Sequence, residues 1–434
     1  MSRYSTLRAA VSFLAILATA LVNAGPALAD DASATATQSY IVMLNDGVSA
    51  PSVATEHARR LGARITYVYD ALDGYAAQLN ARQLAAVKAD PRVDFVGDDR
   101  PVKALAQILP TGIDRIDVDQ SSTHAGDGTG TVNGAIAIID TGIDLANPDL
   151  NAVAGTNCIN PGSPPQDDMN PIYHGTHVAG IAGAKDNDSE VVGAAPGVTL
   201  YAVKVLDSSG SGSFAEVDCG INWVTKNAAA LGIKVANMSL GGSGSDDGNC
   251  GKTNGDAMHR AICRSTRRAD VLYVVAAGNS GQDLAGFTPA AYNEVLTVTA
   301  VSDSDGQPGG LGPAPSCRSG EVDDKYATFS NFAATGSRDT NHTIAAPGVC
   351  ITSTHAGGGT EVLSGTSMAS PHVAGTAALC IFNGACAGLT PKQIKSKLLA
   401  DAKARPASYG FTGDPNHSPV PGRYYGYLAY AGGY

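Results

Sequence analysis

Past its first thirty residues the chain has no apolar run long enough to cross a bilayer, so no helical membrane anchor is expected in the remainder. Basic charge is also short. Lys and Arg number 29 against 40 Asp and Glu, a formal net charge of −11. That balance argues against nucleic acid or an anionic membrane as a partner. Cysteine is missing before Cys158, the first of eight. No internal repeat is visible, which sets aside solenoids and propellers.

What is present begins with an export signature. Arg3 and Arg8 precede an apolar stretch from Ala9 to Val22, then Pro26-Ala-Leu-Ala29. This order fits a signal peptide over 1–29, cleaved after Ala29, and a secreted product. An even cysteine count in an exported chain predicts disulfides. Pairing in chain order would give Cys158–Cys219, Cys250–Cys263, Cys317–Cys350 and Cys380–Cys386. Free buried thiols are the alternative.

Four segments carry residues suited to nucleophilic chemistry. Asp140 ends the apolar run Gly134-Ala-Ile-Ala-Ile-Ile-Asp140. Such a run reads as a buried parallel strand, whose C-terminal end is where ligands gather. His174 opens His-Gly-Thr-His-Val-Ala-Gly, the start of a small-residue helix. His177 follows three residues on, but the segment is not H-E-x-x-H, so a zinc-hydrolase reading lacks its base and His177 is expected to be structural. Ser367 lies in Ser364-Gly-Thr-Ser-Met-Ala-Ser-Pro-His372, ahead of an apolar helix. A serine there is often an N-cap. It can also be a nucleophile, since the positive end of the helix favours a developing anion. Ala369 breaks the G-x-S-x-G pattern, and Ser364 and Ser370 are rival hydroxyls. Asn279 ends Val274-Val-Ala-Ala-Gly-Asn279. It reads as a turn former or as an amide donor for an oxyanion.

In the order Asp140, His174, Ser367 these segments resemble the subtilisin-like serine proteases. The resemblance implies that Ser367 attacks a peptide carbonyl, His174 moves the proton, and Asp140 orients His174. Asn279 and the Ser367 N–H would bind the oxyanion. It also implies a broad endopeptidase acting on protein and peptide substrates. Gly210, Ser211, Gly212 and Ser239, Leu240, Gly241 would be the edges holding an extended substrate. Ala276, Ala277 and Gly278 would wall an open, apolar S1 pocket preferring Leu, Phe or Tyr at P1.

Two domains are expected. Strand and helix patterns from Ser39 to Val96 run β-α-β-β-α-β, the ferredoxin-like α+β order. They resemble the propeptide that chaperones and inhibits these proteases, giving a propeptide over 30–105. Residues 106–434 alternate short apolar runs with helical stretches. Their fold class is α/β, a subtilisin-like domain with a mainly parallel sheet flanked by helices. Self-cleavage would fall between Leu105 and Ala106, with Leu105 in S1, Ala104 in S2 and Val102 in S4. The chain's own propeptide is then an expected partner and the enzyme is expected to be a monomer.

Calcium is the expected structural cofactor. The loop Asp186-Asn-Asp-Ser-Glu-Val191 is rich in oxygen. The resemblance assigns side chains of Gln107, Asp149 and Asn187 and carbonyls of Lys185, Ser189 and Val191 as ligands. A weaker cation site of related enzymes would use carbonyls at Asn293 and Val295. It is not carried over, because Thr343 stands where an Asp is common. Residues from about Asp303 to Asp324 read as a Gly/Pro-rich surface loop held by Cys317. Residues 424–434 read as a packed tail.

Overall fold

The computed structural model describes residues 37–99 and 107–434. The expected signal peptide and the Leu105–Ala106 junction lie outside the described residues. The described residues fall in two compact units, one within Met1–Lys103 and one within Ala104–Tyr434.

The first unit contains β1 (Gln38–Leu44), α1 (Ala50–Leu61), β2 (Arg64–Tyr69), β3 (Gly74–Leu79), α2 (Ala81–Lys88) and β4 (Val93–Asp98). Its strands form an antiparallel sheet in the order β2-β3-β1-β4. This is the expected βαββαβ arrangement. Asp73, with φ 47°, makes the left-handed turn into β3. Val42, Leu44, Tyr75, Ala77 and Leu79 alternate along β1 and β3 and bury one sheet face against Val53, Ala54 and Val87 of the helices.

The second unit is built on β5 (Ala135–Asp140), β6 (Ala152–Asn157), α3 (His174–Gly183), β7 (Thr199–Lys204), α4 (Phe214–Leu231), β8 (Ile233–Met238), α5 (Ala257–Arg268), β9 (Leu272–Ala276), β10 (Leu296–Ser302), β11 (Lys325–Tyr326), β12 (Thr343–Pro347), α6 (Thr366–Phe382) and α7 (Pro391–Lys403). The sheet order is β11-β10-β9-β8-β5-β7-β6, with β12 also on β10. All pairings are parallel except β10–β11.

Burial explains why the strands read as continuous apolar runs. In β5, Ile136 and Ile138 enter a core with Val178 of α3 and Val373 of α6. Ala135, Ala137 and Ile139 enter the opposite core with Val217 and Ile221 of α4 and Ile262 of α5. A parallel sheet covered on both faces demands this. Helix α4 starts on a Ser213–Glu216 capping box and stops at Gly232 in the left-handed region. Helices α3 and α6 lie close because Gly375 has no side chain. A Cβ there would come 2.8 Å from the Ala182 carbonyl oxygen of α3.

All four disulfides pair in chain order, with Cα separations of 5.0–6.1 Å. The tail is packed as expected, with Tyr425, Leu428, Ala429 and Ala431 buried. The 303–324 loop differs from a plain surface loop. Asp303, Glu321, Asp323 and Asp324 at its ends are buried.

Candidate active site

The central strand β5 delivers Asp140 to the C-terminal edge of the sheet, fully buried. Asp140 Oδ1 accepts from Thr141 N (2.8 Å) and stands 2.7 Å from His174 Nδ1. His174 is the first residue of α3, and its side chain keeps 19% exposure. Burial alone would lower the imidazole pKa, but the charges of Asp140 and Asp167 and the bond to Asp140 raise it above the ordinary value.

Sequence reasoning missed the brace around this pair. Thr141 Oγ1 donates to Asp167 Oδ1 and accepts from Gly175 N, while Asp167 Oδ2 accepts from Thr176 N and Oγ1. The brace locks the start of α3 to the end of β5. Its only sequence signal is a threonine after each acidic or histidine motif. His177, on the same helix, is buried and its Nε2 lies 3.1 Å from the carbonyls of Ile351 and Glu361. Burial pushes its pKa down to about 3, which suits a neutral structural histidine.

Ser367 is not the cap of its helix. Gly365 is the N-cap and Ser367 is the second residue of α6. Its Oγ donates to Ser239 O (3.2 Å). Pro371 lies four residues on and has no N–H for the Ser367 carbonyl. Ser239 Oγ fills the vacancy, donating to Ser367 O at 2.8 Å. Ser370, one of the rival serines, is fully buried and donates to Asn237 Oδ1 (2.7 Å). Ser364 Oγ accepts from Cys350 N (2.9 Å). Both rivals are spent on structure.

Asn279 Oδ1 accepts from Thr366 N (2.8 Å) and Thr366 Oγ1 (2.9 Å). Its oxygen is thereby fixed and its Nδ2 left to donate. A Cβ on Gly365 would lie 3.4 Å from that Nδ2 and 3.6 Å from Ser367 N. The two donors therefore converge beside a residue that has no side chain to block them.

Thr141, His174, Gly210–Gly212 and Ser239–Gly241 line one cleft of about 370 Å³, with Met169, Leu206, Phe214, Val217 and Met258 as its apolar wall. Ala276, Ala277 and Gly278 do not line it and are buried at the end of β9. Phe287, absent from the sequence reading, lies against both small-residue segments. Its ring would come 2.5 Å from a Cβ on Gly241 and 3.0 Å from one on Gly278. The slot between these segments is therefore narrower than the open pocket that small residues alone imply.

The six residues expected to hold calcium converge. The Gln107 amide reaches the carbonyls of Lys185 (2.6 Å), Ser189 (3.0 Å) and Val191 (2.9 Å), and Asn187 Oδ1 lies at 3.4 Å. Asn187 Nδ2 donates to Asp149 Oδ1 (2.8 Å). An NH₂ group has two protons for these four acceptors. An all-oxygen set around one point fits a hard divalent cation, with the amide turned to present its oxygen. The Asn293 and Val295 carbonyls have a different partner. Both accept from the ammonium of Lys395, a buried lysine whose pKa burial lowers to about 8. A tethered cation thus stands on the carbonyls of the weaker site.

The subtilase family (peptidase S8) matches residues 132–427, and the peptidase inhibitor I9 family matches residues 39–105. This chain belongs to the subtilase family. The subtilisin-like serine protease Pen ch 13 of Penicillium rubens is 33% identical over 400 residues, 85% of this chain and 89% of that protein. Subtilisin E of Bacillus subtilis (strain 168) is 33% identical over 347 residues, covering 79% and 80%. A crystal structure of a cold adapted subtilisin-like serine proteinase superposes with a TM-score of 0.55 at 30% identity, covering 74% of this chain and 98% of that one. The chain is accordingly a subtilisin-like serine endopeptidase with an inhibitory propeptide segment. No helix among the described residues is long and apolar enough to cross a membrane.

Proposed function

We propose that this subtilase is exported, matures by cutting its own propeptide near Leu105–Ala106, and hydrolyses peptide bonds through Ser367, His174 and Asp140. One observation carries the reading: His174, paired with Asp140 at 2.7 Å, lines a substrate-sized cleft, and Ser367 is bonded to Ser239 of the same cleft beside two converging N–H donors. The hydroxyl of Ser367 turns from Ser239 O toward His174 Nε2 when substrate binds. His174 takes its proton as the oxygen attacks the scissile carbonyl. The resulting oxyanion accepts from Asn279 Nδ2 and Ser367 N, stabilised most where charge develops. His174 then gives the proton to the leaving amine, and water repeats the sequence on the acyl-enzyme.

Asp140 supports this cycle by holding Nδ1 as the donor nitrogen and by favouring the imidazolium. Edges Gly210–Gly212 and Ser239–Gly241 would bind the substrate main chain as added strands. Phe287, laid against Gly241 and Gly278, favours an apolar or flat aromatic P1 side chain. A peptide library cut almost only after Arg or Lys would refute that preference.

The deciding experiment is the N-terminal sequence and intact mass of the secreted protein, wild type beside Ser367→Ala. The expected wild type starts near Ala106 and the mutant near Asp30. Both starting near Ala106 would assign maturation to another protease. Both retaining residues 39–105 would remove the self-processing proposal.

Calcium is proposed at Gln107, Asp149, Lys185, Asn187, Ser189 and Val191, where it would clamp the Gln107 segment to the 185–191 loop. Chelation should lower the melting temperature by several degrees, consistent with loss of a bound ligand. An unchanged melting curve would count against the site.

A further inference from the structure

The loop that leaves β10 at Asp303 and returns to β11 at Asp324 has acidic stems. Asp303, Asp323 and Asp324 retain only 1%, 5% and 4% exposure, and Asp305 is half-buried. Carboxylates are rarely buried without compensation. Asp324 has it: Oδ1 accepts from Arg115 Nε (2.9 Å) and Oδ2 from Gly310 N (3.0 Å). Asp323 accepts from Ser304 N (2.8 Å), Ser304 Oγ (3.0 Å) and Gly312 N (2.7 Å). Asp303 is different. Its Oδ2 accepts from Gly306 N, but its Oδ1 is wholly buried and accepts nothing.

Charge is unbalanced at the same place. Among the described residues, Arg115 is the one basic side chain in ion-pair contact with any of these four carboxylates. Its Nε stands 3.6 Å from Asp303 Oδ1 and gives its proton to Asp324. Arg115 thus meets Asp303 and Asp324, and Asp305 and Asp323 have no basic side chain in ion-pair contact among the described residues.

The spacing is that of a shared ion. One oxygen each from Asp303, Asp305 and Asp323 lies within 4.8 Å of the others. Two oxygens bound to one calcium at about 2.4 Å can stand no more than about 4.8 Å apart. We propose that Asp303, Asp305 and Asp323 bind a calcium-sized divalent cation that closes the loop at its stems. The set shares no residue with the Gln107–Asp149 cluster. The cation ties the first residues of the loop to the last, while Cys317–Cys350 fastens the middle of the loop to the segment that precedes α6.

The test uses the full chain carrying Ser367→Ala, stripped by a chelator and titrated with calcium by isothermal calorimetry. The parent is compared with Asp305→Asn and Asp149→Asn. The expected result is that Asp305→Asn loses one calcium or binds it at least tenfold more weakly, while Asp149→Asn keeps that calcium. An Asp305→Asn isotherm identical to the parent overturns the proposal. So does a parent that binds a single calcium lost in Asp149→Asn. Asp305 is outside the Arg115 ion pair, so this variant is chosen over Asp303→Asn, which can fail to fold. A second readout is trypsin cleavage at Arg318, an exposed loop residue. Calcium should slow that cut several-fold in the parent and not in Asp305→Asn, and a parent rate indifferent to calcium overturns the proposal.

Discussion

Two histidine–aspartate pairs, one in each unit, have nearly the same contact and opposite surroundings. In the first unit, His57 Nε2 lies 3.0 Å from Asp90 Oδ2, and His57 Nδ1 is held by Tyr75 OH. Asp90 also carries Arg92, whose Nη2 stands at 2.7 Å, and the His57 side chain is fully buried. Both ring nitrogens are occupied and the carboxylate is already neutralised. In the second unit, Asp140 has no basic partner but His174 among the described residues. His174 Nε2 takes no hydrogen bond from the described residues, and the ring borders the cleft. A histidine–carboxylate pair is therefore not a reactive unit in itself. It becomes one when its second nitrogen is free and its carboxylate is spared for the imidazolium.

Removing the carboxylate is the strongest way to test that contrast. Asp140→Asn should lower kcat by about 10⁴-fold, as in the related triads. Asp90→Asn should leave peptide hydrolysis by the mature enzyme unchanged. Comparable losses from both would erase the distinction.

The pH profile sharpens it. His174 must be neutral to accept a proton, and its pKa is raised by Asp140 and Asp167 against the burial that lowers it. The acid limb of kcat/KM should therefore lie above pH ~6.5, the ordinary histidine value. Asp140→Asn removes the stabilising anion, so the limb should move to lower pH. A limb at or below the ordinary value in the wild type would contradict the assignment.

A smaller effect is expected at the donor opposite the pair. Asn279→Ala should reduce kcat by roughly 10²–10³-fold with KM nearly unchanged, because the amide acts on charge that develops in the transition state. A loss confined to KM would make Asn279 a ground-state contact.

The smallest effect belongs to the buried pair in the first unit. Asp90→Asn should cost that unit about 1–3 kcal/mol, the scale of a broken buried hydrogen bond. Faster hydrogen exchange in α1 and β3 of the Ser367→Ala full chain would report it. The hydrogen bonds from Arg92 hold the Asp90 pKa well below the ordinary carboxylate range, chiefly against the burial that raises it. A depressed carboxylate stabilises above its unfolded pKa. That contribution is fully present above pH ~4 and is lost as pH falls toward the folded value. Acid should thus reproduce the Asp90→Asn exchange pattern in the parent.

The sequence by itself determined the architecture and the candidate triad. Strands buried on both faces have to be apolar throughout, so β5 and β9 are visible as runs, and Asp140 and Asn279 sit where those runs stop. The ferredoxin-like order is similarly local, because alternation marks β1 and β3 and a turn residue marks their partners. Tertiary structure decided what depends on neighbours distant in the chain. The partners that tie up the rivals Ser370 and Ser364, at Asn237 and Cys350, are revealed by no local pattern. Phe287 narrows the slot only because folding lays it on Gly241 and Gly278. Lys395 meets the Asn293 and Val295 carbonyls across a separation of about a hundred residues. Disulfide partners likewise needed Cα atoms brought within bonding range. Local sequence reports which face a residue must bury. It does not report which side chains arrive there together, because that is set by packing, and packing decides how each charge and hydrogen bond is satisfied.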